Sequence, residues 1–219
     1  MRIKIAEKVP GADAHYVAYA YIDSYKNIPL VNLHTVYQDR IAEPCHAKWF
    51  FSRVKDDDEW TTDTYDFDYT HHAVYIYQAT WKQDVSRNRD TIKIDALFQD
   101  GLSLFFYARK NVMTKQKVKV PTLVNRKKGY THIDFTAERT SEEIEAASYP
   151  IDLVHFEGEA KFVGVFGLTG GFEGWFSNDA ARVPVLAKMK VLIGNVRIEL
   201  MKWTRTGWTP PRYTEEKKR

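Results

Sequence analysis

A chain of 219 residues with 44% hydrophobic and 14% aromatic side chains can bury a large core, and its 28% charged residues exclude a long disordered polymer. Its 32 Lys and Arg nearly balance its 29 Asp and Glu, for a net charge of +3, which leaves no electrostatic footprint for nucleic acid. The single cysteine, Cys45, excludes an intrachain disulfide framework and any paired-cysteine zinc or redox site.

Alternation with a period of two dominates the chain, the mark of half-buried strands. It begins with Arg2, Ile3, Lys4 and Ile5, so close to Met1 that a missing upstream segment is expected. Strands are predicted over residues 16–22, 31–41, 48–54 and 60–69. The last carries Tyr65, Phe67 and Tyr69 on one face and Thr64, Asp66 and Asp68 on the other. Acidic residues 56–59 and the trio Thr70, His71 and His72 supply turns, after which residues 73–77 resume the meander. Charged residues 82–90 predict an exposed loop, and 91–94 a short extended piece.

One helix is predicted over residues 101–110. Asp100 is placed to cap its N-terminus, and Leu102, Phe105, Phe106 and Arg109 recur at helical spacing. Strands follow at 116–120 and 130–135, with a polar loop at 125–129 between them, and residues 141–147 read as a helical turn or an acidic loop. Residues 153–166 form a long strand with Gly158 and Gly164 as bends. Two more strands meet at a tight turn through Gly194 and Asn195. This pattern predicts one β-rich domain over residues 1–204 and a flexible tail over 205–219.

Chemistry-bearing residues are present, but their patterns are weak. His71 and His72 are adjacent on a strand end and point apart, and the acids at 56–59 lack the spaced ligands of a calcium loop. Gly167, Gly170, Gly171 and Gly174 precede strand residues, not the helix of a nucleotide loop. Ser177 precedes a turn and is not read as a nucleophile. Asp179 suits an Asx-type turn, and Arg182 can reach a carboxylate such as Asp39 or Asp100. Asp39, Arg40 and Arg109 are read as an ion-pair network tying helix to sheet. The basic run from Arg109 to Lys128 either meets anionic headgroups or pairs with nearby acids such as Asp134 and Glu138.

The segment Trp175, Phe176, Ser177, Asn178, Asp179, Ala180, Ala181, Arg182, Val183, Pro184 and Val185 resembles the hallmark hairpin of a bacterial family, domain of unknown function three-one-zero-eight. The strand at Val36, Tyr37, Gln38, Asp39, Arg40 and Ile41 and the helix opening at Asp100, Gly101, Leu102 and Ser103 are similar to it in the same order. Asn178 and Ala181 depart from the family's aspartate and arginine. The resemblance covers most of residues 14–203. It implies that one or two strands precede Ile3, that the protein is commonly exported and resides in the periplasm or cell envelope, and that no activity is established.

The expected fold is mostly β: a curved antiparallel sheet, or an open or half barrel, with one helix on its concave side. The expected function is a non-enzymatic binding or carrier module for a lipid or other amphiphile. The alternative is a structural or protein-interaction scaffold with a packed core, presenting the edge strand from Arg2 to Ala6 to an envelope partner. Residues expected to line a ligand or form a structural network are Asp39, Arg40, Asp100, Leu102, Ser103, Phe106, Arg109, Trp175, Asp179 and Arg182. No metal, cofactor, nucleic-acid partner or transmembrane segment is expected.

Overall fold

A computed structural model describes residues 2–7, 14–23, 34–56, 59–81, 85–160, 168–191 and 195–215. Where the sequence suggests one domain, the contacts gather into two units, Met1–Phe106 and Tyr107–Arg219, so that the boundary falls inside the helix. Each unit holds one antiparallel sheet.

The first unit is a seven-stranded meander in chain order: β1 (Arg2–Glu7), β2 (Tyr16–Asp23), β3 (His34–Ala42), β4 (His46–Asp56), β5 (Glu59–Asp68), β6 (Ala73–Thr80) and β7 (Val85–Lys93). Period-two patterning sorts its side chains by face. Across the buried face the register lines up Ala18, Asp39, Phe50, Tyr65 and Ile76, and the Phe50 ring meets those of Tyr37 at 5.6 Å and Tyr65 at 5.5 Å. The other face alternates cations with aromatic rings. Arg40 lies 4.8 Å over Trp49, and Arg53 lies 5.2 Å over Trp60 and 4.7 Å over Trp81.

The exposed loop expected at 82–90 is instead mostly strand β7; residues 82–84 lie outside the description, as do residues 57 and 58 of the acidic turn. Charged residues here mark a sheet edge, where an outward charge also deters pairing with other chains.

Helix α1 (Ser103–Asn111) begins two residues later than expected, behind the Asp100 cap that the sequence predicts. The Asp100 carboxylate accepts from the N–H of Leu102 at 2.7 Å and of Ser103 at 3.0 Å, while the Asp100 N–H donates back to Ser103 Oγ at 2.9 Å. This reciprocal cap satisfies donors that a helix start otherwise leaves orphaned. No described helix is long and apolar enough to cross a membrane.

The second unit is a six-stranded sheet ordered β13-β12-β11-β10-β9-β8, built from β8 (Gln116–Val124), β9 (Lys127–Glu142), β10 (Ile151–Ala160), β11 (Leu168–Ser177), β12 (Pro184–Val191) and β13 (Asn195–Glu199). The polar loop expected at 125–129 shrinks to a two-residue turn, Asn125 and Arg126, both with positive φ, as a primed hairpin turn demands. Gly158 and Gly174 serve close packing: a side chain on Gly158 would run into the Phe172 ring, and one on Gly174 into the Phe156 ring. Gly164 and Gly194 lie outside the described residues.

The tail is also corrected. Tyr213 N–H donates to Pro150 O at 2.9 Å, Asp152 N–H to Pro211 O at 2.8 Å, and Tyr149 Oη to Pro210 O at 2.8 Å. Two prolines hold this stretch extended, so its carbonyls face the β10 entry as an added strand would, and residues 208–214 are strapped down.

The class is the one the pattern predicts: mostly β, antiparallel, with one helix and no barrel closure among the described residues. The difference is that the strands divide between two sheets.

Candidate functional site

Three groups of polar residues stand out, and the first is buried. Asp39 is 0% and Asp100 1% exposed, both within the first unit beside Ser103, also 0% exposed. No well-formed hydrogen bond reaches either oxygen of Asp39 or Asp100 Oδ2, although the Arg40 and Ser103 N–H groups and the Asp100 carboxyl lie close to Asp39. Burial first, then the charge of Asp100, pushes Asp39 well above the carboxylate range; Asp100 is also raised by burial, against the pull of the Ser103 and Leu102 N–H groups. Burial thus opposes ionising both carboxyls of this coupled pair at once.

Around this pair, Tyr69 donates to Ala47 O at 2.7 Å, the His46 ring stands edge-on to Tyr69 at 4.9 Å, and Gln99 donates to Cys45 O at 2.7 Å. Burial lowers the His46 pKa and raises that of Tyr37 to about 12. Leu102 and Phe106, 2% and 7% exposed, complete the wall, with Phe106 stacked on Tyr16 at 6.1 Å. Sealed from solvent, these groups anchor the helix start and offer no entry to a substrate.

The second group is a latch within the second unit. Asp179 Oδ1 accepts from the N–H of Ala181 at 2.9 Å and of Arg182 at 3.0 Å, the Asx turn expected, and from Ser177 Oγ at 2.9 Å. Its other oxygen accepts from Trp208 Nε1 at 2.7 Å. Arg182 reaches carbonyls, not the carboxylate expected: its Nη1 donates to Arg109 O at 3.3 Å and Lys110 O at 3.1 Å. In return Arg109 Nη2 donates to Ala181 O at 2.9 Å. The two cations thus clamp the helix C-terminus, where orphan carbonyls and the negative dipole end favour them. Ser177 serves this turn: its hydroxyl donates to Asp179 Oδ1 and accepts from the Val183 N–H.

Arg40 departs from the expected network altogether. It is exposed on the opposite face of β3 from Asp39 and lies over Trp49. Strand neighbours point to opposite faces, so Asp39 and Arg40 cannot join one cluster.

The third group lies on the solvent face of the second sheet. Here a trough of about 1060 Å³ crosses all six strands. One wall is a cross-strand row, Lys117, Asp134, Glu157, Glu173, Lys188 and Arg197; the other is Lys119, His132, Glu159, Gly171, Lys190 and Asn195. Acids occupy the central strands and bases the flanks. Lys117 pairs with Asp134 at 2.6 Å, so part of the basic run meets its nearby acids. Trp175, 5% exposed, lies two residues beyond Glu173 on β11, its ring 4.9 Å from His155 and 4.7 Å beneath Lys188 Nζ.

Of the ten residues singled out from sequence, Asp39, Asp100, Leu102, Ser103 and Phe106 converge in the first unit, and Arg109, Asp179 and Arg182 in the second. Sequence reasoning missed the trough. Its signal was present as charged residues at alternate positions of β8 to β13, but only the register aligns them into rows. It also missed His155, Glu157 and Glu173, the one group among the described residues able to hold a metal ion. His71, by contrast, sits on a hairpin tip with its Nδ1 2.6 Å from Asp68 Oδ2, in the turn expected.

Fold and site together define an all-antiparallel β protein with two sheets, one internal helix and a charged trough. The chain belongs to the family described as Protein of unknown function (DUF3108), whose model matches residues 50–201. The match takes in α1, the latch and the trough; the similarity noted at Val36 to Ile41 lies outside it. No curated protein and no solved structure matches the chain.

Proposed function

We propose that this protein is a non-enzymatic binding module of the cell envelope for an amphiphile, engaged through a headgroup that bears charges of both signs. The observation that supports it is the trough, where acidic positions on β9, β10 and β11 lie between basic positions on β8 and β12. Adjacent strands are about 4.8 Å apart, the scale that separates phosphate from amine in a zwitterionic headgroup. The envelope location rests on the family resemblance. Organic extraction of the purified protein, followed by mass spectrometry, is expected to release a stoichiometric amphiphile. An empty extract, with no binding to phosphatidylethanolamine vesicles, sinks this reading.

A scaffold role has its own supporting observation. Among the described residues β1 ends the strand order of the first sheet and pairs with β2 alone, which leaves its far edge as a place for another strand. A partner captured on that edge, with no amphiphile in the extract, favours it.

A further inference from the structure

We propose a binding site for a divalent transition ion of the Zn²⁺ type on the solvent face of the second sheet, formed by His155, Glu157 and Glu173. One imidazole nitrogen and one oxygen from each glutamate lie within 4.8 Å of one another. Strand geometry enforces the grouping. His155 and Glu157, two apart on β10, share a face, and the register sets Glu173 directly opposite Glu157.

Three observations separate this trio from ordinary surface acid. Asp134, Glu157 and Glu173 are cross-strand neighbours, and like charges so placed repel. Asp134 has its counter-ion in Lys117, but the base opposite Glu173 is diverted: Lys188 Nζ reaches Glu142 at 3.4 Å and lies over the Trp175 ring. Among the described residues neither glutamate has a salt bridge of its own, and Lys117 acts on Glu157 only through its charge. Next, among the described residues no hydrogen bond or salt bridge engages the side chains of His155, Glu157 or Glu173, so all three donor groups are available. Finally, the half-buried His155 ring packs at 4.9 Å against the buried Trp175 indole, which limits its rotation and aims it along the sheet face.

One nitrogen and two carboxylate oxygens form a donor set suited to zinc and its neighbours, whereas calcium and magnesium take oxygen alone. Three protein ligands leave a position open toward the trough, as in metal sites that accept an exogenous ligand. Small side-chain rotations bring the donors to bonding distance. This site stands whether or not an amphiphile occupies the trough.

The test uses the full chain, stripped with chelator and titrated calorimetrically with Zn²⁺ alone. A single equivalent is expected to bind and to raise the melting temperature. Glu157→Gln, Glu173→Gln and His155→Gln should each weaken uptake by more than about tenfold, since losing even an outer partner of a metal ligand does as much. The metal-free melting curve of Glu157→Gln should stay in place, because that side chain is exposed. Absence of stoichiometric uptake overturns the site. So does uptake that survives all three substitutions, or a loss of uptake that appears only where the metal-free fold is lost as well.

Discussion

In the first unit two aspartates, one on β3 and one capping the helix, are buried beyond the reach of solvent; on the second sheet, three carboxylates line up across neighbouring strands. Asp39 and Asp100 are buried, and that burial raises both carboxyls and disfavours their charge. Glu157 and Glu173 stand on the solvent face, grouped with His155. The same functional group therefore does structural work in one unit and presents ligand chemistry in the other. Desolvation makes the difference, since a lone buried charge costs far more than an exposed one.

The largest test of this contrast falls on the buried indole two residues along β11 from Glu173. Trp175→Ala should destabilise the protein by about 3–5 kcal/mol in urea unfolding, because the indole is 5% exposed within the cluster of Ile151, Leu153, Val185 and Leu186. An unchanged midpoint would mean that the indole carries none of the core.

A smaller effect is expected at the helix start. Asp100→Ala removes the acceptor for two backbone N–H groups and should lower stability by about 1–2 kcal/mol, while Asp100→Asn, which keeps an acceptor oxygen, should lose less. Equal losses in the two variants would show that the charge, not the cap, matters.

The mildest prediction concerns pH. Asp39 is raised above its unfolded value of 3.8, so the folded state binds more protons, and its contribution is fully present below 3.8 and fades as pH climbs toward the folded value. Asp39→Asn, which cannot titrate, should flatten the fall in unfolding free energy over that window. A parallel profile for variant and wild type would mean that the pair holds no proton.

Much of this architecture was legible from local signals. The meander follows from period-two alternation through residues such as Tyr65, Phe67, Val74 and Ile76, and the helix start from Asp100 three residues before Ser103. Asp179 announced its own turn. Segments whose structure depends on distant partners were misread: β7 and residues 127–128 carry so much charge that they resemble loops, and the strap at 208–214 has no periodicity at all. The candidate network split for the same reason, since Arg40 is a neighbour of Asp39 in the chain and a stranger to it across the sheet.

Chain order alone dictated which segments extend, where the helix begins and which faces are apolar, because those choices rest on side-chain alternation and backbone capping between near neighbours. Folding in three dimensions settled the division of strands into two sheets, the sealing of Asp39 against Asp100 and the alignment of His155, Glu157 and Glu173. Each of these depends on cross-strand register, and a shift of one residue would turn every such side chain to the opposite face.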